Sequence, residues 1–440
     1  MTHESIRPQR SIGAVPDYSD IHTYVNDVGS LNIWEGDGWK KESLSWKTGC
    51  YLAINLAGPM ELTIHGPGAQ EFLSKLAINN VNNWSLGTSK HLVMTDEEGL
   101  IVSHGLSVRD SKDSFRLLAA LPWPAFYAQQ HGADGLEVQF SWRDIFILQL
   151  AGPAIVEVVA AAAGEEIREL PFLGTRPIEV AGAEGIELEL GRIGMTGSIA
   201  YEIRGAYEDG PAVFDALYRI GQEFGITRLG YRTYPVNHTE GGFPQMGFHF
   251  VSSVYTDTDY RNSEFALSLT HEFSGSIDPT DVRARLRTPS EVNWSWMAKF
   301  DHEFIGRAAV EAEVQNRRRK TVILRWNADD VLDVFASYLR PGEEYAYIEF
   351  PSTPQAPAGG HADLITKNGV PVGISSAAVY SYSSREMISQ ATIDLAETEV
   401  GTELVLHWGD YGGRIKEIRT TVAPFPYLEL PRNADVDTRR

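Results

Sequence analysis

The sequence predicts an α+β protein that closes on a small β-barrel, and three observations carry that reading. Strand-like and helix-like stretches come in runs instead of strict alternation, which disfavours a doubly wound parallel sheet. The stretch "SSAAVYSYSSREMISQATIDLAETEVGTELVLHW" has strand periodicity and turn signals only, as a small barrel requires. Ahead of both lies "GRIGMTGSIAYEIRG", residues 191–205, where three glycines fall within seven residues before a half-apolar strand that carries an acid.

Taken in order, residues 1–45 are polar, with scattered Gly and Trp, and read as an arm that wraps over the rest. Residues 46–64, "WKTGCYLAINLAGPMELTI", read as short strands, and "HGPGAQEFLSKL" as a turn entering a helix with Phe72, Leu73 and Leu76 on one face. Strands are expected at 90–94, 101–108 and 115–121, separated by the turns "TDEEG" and "DSKD". "WPAFYAQQHGADG" opens a helix, and "FSWRDIFILQLAGPAIVEVVAAAAG" is a strand followed by an Ala-rich helix. "PAVFDALYRIGQEFGI" is an amphipathic helix built on Val213, Phe214, Leu217, Ile220 and Phe224, with Gly225 as its stop. The basic run "QNRRRK", 315–320, precedes the strand "TVILRW"; it is the best boundary candidate and reads as a solvated linker. The expected organisation is an arm at 1–45, a central unit at 46–315, and a barrel with its tail at 316–440.

Composition bounds the partners. The 440 residues carry 38 Lys and Arg against 59 Asp and Glu, a net charge of −21, which argues against nucleic acid or an anionic membrane surface. Cys50 stands alone, so an intrachain disulfide and a multi-cysteine metal site are excluded. The first twenty residues have no apolar signal-peptide core, and no run approaches the roughly 20 apolar residues of a membrane span. The expectation is a cytoplasmic protein whose oligomeric state the sequence leaves open. Phosphate-loop, zinc-protease, nucleophile-elbow and dinucleotide signatures are all missing, so no metal is expected.

Glycine permits close backbone approach but costs stability. Three of them before Glu202 suggest a ligand lying flat on the backbone with the acid aimed at it; a hairpin with an exposed acid is the plainer alternative.

Four further segments flank this stretch in a telling order: "HGPGAQEFLSKLAINNV", "DEEGLIVSHGLSVRDSKDSFRL", "WMAKFDHEFIGRAAV" and "GVPVGISSAAVYSYSSREMISQATID". Across about residues 45–425 the chain resembles the aminomethyltransferase family, the folate-binding T-protein of glycine cleavage and its relatives. The resemblance implies a three-domain cloverleaf, two folate-binding α+β domains and a C-terminal β-barrel around a central tetrahydrofolate site. It implies that Glu202 meets the pterin amino and ring NH edge, with Asn55, Tyr201 and Phe243 in the same cofactor set.

Two departures matter. Where aminomethyltransferases carry an acidic pair, this chain has Ser103 and His104, and at "LGYRTYPVNHTEGGF" it has Tyr234. The second feature resembles the tetrahydrofolate-dependent aryl O-demethylase branch of the vanillate, 3-O-methylgallate and syringate type. That branch implies methyl transfer from an aromatic methyl ether to N5 of tetrahydrofolate. A phenolate leaving group needs a proton or a strong hydrogen bond, which Tyr234 supplies, with His104 or His238 sharing it. A methoxybenzoate-like substrate needs its carboxylate held, for which Arg109 and Arg232 are the candidates. Tyr24, Trp34 and Trp46 are available to wall an aryl pocket. Two alternatives remain: a sulfonium or amine demethylase of the dimethylsulfoniopropionate type, and a folate-binding protein that transfers no methyl.

Overall fold

A computed structural model describes residues 18–438 apart from 19, 28–29, 55–59, 119–121, 165, 195–197, 267–272 and 353–359. A ten-stranded, curled sheet forms the first half of the molecule and a closed six-stranded barrel the second. The sheet runs Ser89–Thr95, Ile101–Ser111, Ser114–Leu118, Met60–His65, Gln139–Ala151, Ala200–Ala206, Leu188–Gly191 and Thr175–Ile178. Tyr51–Ile54 also pairs with Gln139–Ala151, and Thr227–Arg228 extends it in parallel.

The long strand Gln139–Ala151 joins two lobes. Its first residues pair with Met60–His65, and from Ile145 onward it pairs with Ala200–Ala206. Strand alternation then sorts the side chains. Phe146, Leu148 and Leu150, with Tyr201 and Ile203, face a core capped by the helices Ile155–Ala163 and Gly210–Gly221. Gln149, Glu202 and Tyr51 face the other way, toward the helix Tyr234–Gly241. The second lobe packs the helix Ala69–Leu76 on its own strands through Phe72, Leu73 and Leu76. The barrel order is Arg319–Trp326, Glu386–Asp394, Val370–Ser381, Asp363–Lys367, Glu403–Trp408 and Lys416–Ala423, and the last strand closes on the first.

Two expectations are corrected. Residues 46–48, read as the start of a strand, end the helix Trp39–Thr48. That helix buries polar residues: Glu42 accepts from the N–H groups of Gly36, Asp37 and Gly230, so apolar periodicity could not reveal it. The basic run is likewise no free linker, because the helix Arg307–Gln315 passes almost directly into Arg319–Trp326. Arg317 is held there by Ser290 O and Asn293 Oδ1, and Arg319 pairs with Asp394 at 3.0 Å.

Candidate active site

The Gly-rich stretch closes a hairpin between Leu188–Gly191 and Ala200–Ala206, which sets Gly191 opposite Glu202. A Cβ at 191 would meet the tip of the Arg204 guanidinium, so any larger residue there would have to displace it. Glu202 is 3% exposed, and its nearest cation is Arg204, with Nε 3.9 Å from Oε2. Burial raises its pKa; Arg204 opposes the shift and Glu189 adds to it. Arg204 also lies 3.2 Å from Glu189, yet none of its three guanidinium nitrogens makes an aligned hydrogen bond among the described residues.

Facing this wall is the helix Tyr234–Gly241, with Pro235 in its first turn. Tyr234 is fully buried, and its hydroxyl has no hydrogen-bond partner among the described residues. Burial pushes the phenol pKa well above 10, with smaller contributions from Tyr51 and Glu202, so the proton stays on throughout the neutral range. The His238 ring lies 4.4 Å from that of Tyr234. Its Nδ1 sits 3.1 Å from the Tyr234 carbonyl, so Nδ1 carries the proton and donates, and Nε2 is left as a bare, buried acceptor. Burial lowers the His238 pKa to about 4, and the ring is neutral.

A third group joins them. Tyr51 donates to Gln149 Oε1 at 2.7 Å and accepts from Asn237 Nδ2 at 2.9 Å. Gln149 Nε2 and Asn237 Oδ1 are left without partners among the described residues. Orphaned buried polar atoms are rare in native proteins and costly to keep. Here donors on Tyr234, Gln149 and Arg204 and acceptors on His238 and Asn237 gather around the ionisable Glu202. A flat heterocycle with several N–H and ring-nitrogen positions, such as a pterin, fits this set.

His104 lies elsewhere, on Ile101–Ser111. Met246 N–H donates to its Nε2 at 3.3 Å, so its Nδ1–H donates to His91 Nε2 at 2.9 Å. Both His104 nitrogens are therefore engaged, and burial holds both rings neutral, His91 at about 4. Phe243, Phe250 and Trp294 enclose the pair. Phe243 also meets His238 at 6.0 Å between centroids, which makes it the joint between the two histidine groups.

The structure does not bring the other expected residues to this place. Tyr201 points into the opposite face of the sheet, because it alternates with Glu202. Arg109 donates to Trp84 O and Gln70 Oε1, each at 2.6 Å, and to Ser111 O at 3.2 Å. Arg232 donates to Glu35 at 2.6 Å and Phe350 O at 2.5 Å, and pairs with Glu349 at 3.3 Å. Asn55 lies outside the described residues. Of the arm aromatics, Trp46 donates to Glu240 at 3.0 Å and Trp34 stacks on Tyr231. Gln149 and His91 escaped the sequence reading; the available signal was one amide inside the apolar "FILQLA". Among the described residues no helix is long and apolar enough to cross a membrane.

Comparison with known proteins agrees with this architecture. Residues 37–256 match the GCVT N-terminal domain. The chain is 33% identical over 416 residues to a sesamin methylene transferase of Sinomonas sp. (strain No.22), covering 91% of each. It is 29% identical over 445 residues to a syringate O-demethylase of Sphingobium sp., covering 94% of this chain and 95% of the relative. The crystal structure of the glycine cleavage system aminomethyltransferase T from Bartonella henselae superimposes with a TM-score of 0.67 at 17% identity, over 94% of this chain and 96% of that one. The fold is shared, the two curated relatives are both named as enzymes, and this chain belongs to the GCVT family.

Proposed function

We propose that this chain is a tetrahydrofolate-dependent O-demethylase acting on an aromatic methyl ether. The observation that carries the reading is the buried Tyr234 hydroxyl, protonated and without a partner, beside the bare acceptor of His238 and the acid Glu202. When bound, tetrahydrofolate supplies N5 as the acceptor of the methyl group.

Glu202 offers two oxygens to the pterin amino and ring N–H edge, with Gln149 Nε2 and Asn237 Oδ1 as further contacts for polar atoms of the bound ring. As the methyl–oxygen bond breaks, the electron pair remains on the aryl oxygen, and the Tyr234 O–H donates to it. A phenol held in its protonated form suits that task at neutral pH. His238 Nε2 accepts from a donor on the bound molecules, and its neutral state leaves no imidazolium to compete for the leaving oxygen. Phe243 fixes the depth of the site by packing on His238. Catalysis is then mostly the positioning of two reactants around one proton donor.

The test is incubation with tetrahydrofolate and a panel of methoxyarenes, a methylenedioxyarene and dimethylsulfoniopropionate, with folate products followed by mass spectrometry. Methylated folate from a methoxyarene, lost in Tyr234→Phe, is the expected result. Product from the sulfonium alone, or folate binding with no transfer from any donor, overturns it.

A further inference from the structure

After the barrel closes, the chain runs back to the first sheet, where residues 433–438 meet the Gly-rich hairpin. Arg192, at the start of the hairpin loop, is 6% exposed, and its guanidinium pairs with no carboxylate among the described residues. Its guanidinium donates to Asn433 O at 2.7 Å, Val436 O at 2.6 Å, Asn433 Oδ1 at 3.2 Å, Leu170 O at 3.2 Å and Thr438 Oγ1 at 3.4 Å. Asn433, 2% exposed, donates from Nδ2 to Ala200 O at 3.0 Å, at the other end of the loop. Thr438, 4% exposed, donates to Arg168 O at 2.5 Å. One side chain thus ties both ends of the loop 192–200, two residues before Glu202.

Val436 already packs on the apolar core behind the hairpin, and exposed polar contacts would cost less than burying a cation on carbonyl oxygens. Gly194 sits where a Cβ would strike Ala200, so the two ends of the hairpin approach each other closely there. A glycine-rich loop gives a ligand close access but does not fix its own shape.

We propose that Asn433 and Arg192 are positioning residues for the folate site, bracing the hairpin at its two described ends, Arg192 and Ala200, so that Glu202 is presented in one orientation. The inference rests on the reading that Glu202 holds the pterin edge. Neither residue touches the cofactor; both act through the loop.

Three variants of the full chain test it: Asn433→Ala, which removes both ties; Asn433→Asp, which keeps the acceptor for Arg192 but loses the donor to Ala200 O; and Thr438→Val, which trims only the outer end. Two quantities are read in each, the tetrahydrofolate Kd by calorimetry and amide hydrogen exchange across 191–206 without ligand. In Asn433→Ala the Kd rises about tenfold or more, the worth of one misplaced charged hydrogen bond. Exchange quickens over 191–202 and not in the barrel strands. Asn433→Asp falls between it and wild type, Thr438→Val stays near wild type, and saturating tetrahydrofolate restores kcat in all three.

Unchanged exchange over 191–202 in Asn433→Ala overturns the brace whatever the ligand does. Faster exchange with an unchanged Kd overturns its role in the site. Wild-type protein that binds no tetrahydrofolate sinks the proposed function instead, while the exchange data still judge the brace. If Asn433→Ala fails to fold, the same comparison is made on Asn433→Asp, where loss of the Ala200 tie alone must quicken exchange.

Discussion

Two buried polar regions of this molecule make opposite arrangements. Around Arg285, 2% exposed, five carbonyl oxygens, of Ser274, Ile277, Asp278, Asp281 and Gly360, take the guanidinium at 2.8–3.2 Å. Around Tyr234, the hydroxyl, His238 Nε2, Gln149 Nε2 and Asn237 Oδ1 are equally buried and have no partner among the described residues. The first region closes its hydrogen bonds within the chain, so it serves the fold. The second leaves them open, a cost a folded protein carries where a ligand completes the set. Burial alone does not tell these two regions apart; what separates them is whether the buried groups find partners within the chain.

Substitutions can break this contrast, and the largest effect is on rate. Tyr234→Phe is expected to lower methyl transfer by about 10²–10⁴-fold, the usual weight of a general acid, measured as single-turnover formation of methylated folate. Its unfolding free energy in urea should stay within about 1 kcal/mol of wild type, because the hydroxyl it removes has no partner among the described residues. Arg285→Ala should behave in reverse. Five carbonyls lose their donor at once, and stability should fall by about 3 kcal/mol or more, with the folate Kd of the remaining folded protein unchanged.

Glu202→Gln sharpens the contrast within one residue. Losing a charged hydrogen bond should weaken tetrahydrofolate by about 1.5–3 kcal/mol, read by calorimetry. The ligand-free variant should be no less stable than wild type, because burial raises the pKa of this carboxyl and its ionised form disfavours folding at neutral pH.

The smallest effect concerns His361, in the saturated region. Its Nε2 meets Asp363 Oδ2 at 2.7 Å and its Nδ1 meets Ser274 Oγ at 3.0 Å. Burial by itself lowers its pKa, but Asp363 outweighs that and the net shift is upward from 6.5. A histidine raised on folding stabilises fully below its unfolded pKa, and that share is lost as pH rises through the folded value. Thermal unfolding of His361→Asn should therefore lie furthest below wild type at about pH 6 and approach it at alkaline pH. A constant offset would sink the assignment.

The sequence made parts of this legible and hid others for physical reasons. The helix Gly210–Gly221 and the barrel strand Glu403–Trp408 declare themselves because their burial follows their own period. Glu202 stood out because glycines cost stability and call for a reason. Helix Trp39–Thr48 did not, since its buried face is polar and its partners, Gly230 among them, come from remote sequence. Arg109 and Arg232 are candidates for a substrate carboxylate for the same reason: Gln70, Trp84, Glu35 and Phe350, which hold them, share no local pattern with them. Polar residues show their type in a sequence but not their partners.

The brace on the Gly-rich loop has a consequence in time. Arg192 and Asn433 are 241 positions apart, and a contact that distant forms only after the intervening chain has ordered, since loop closure must come before its reward. Both sheets can assemble before Asn433 reaches Arg192 and Ala200. A refolding experiment that follows tetrahydrofolate capture alongside far-UV signal should then show secondary structure recovering first and capture lagging behind it. The molecule would look folded before it could recognise its cofactor.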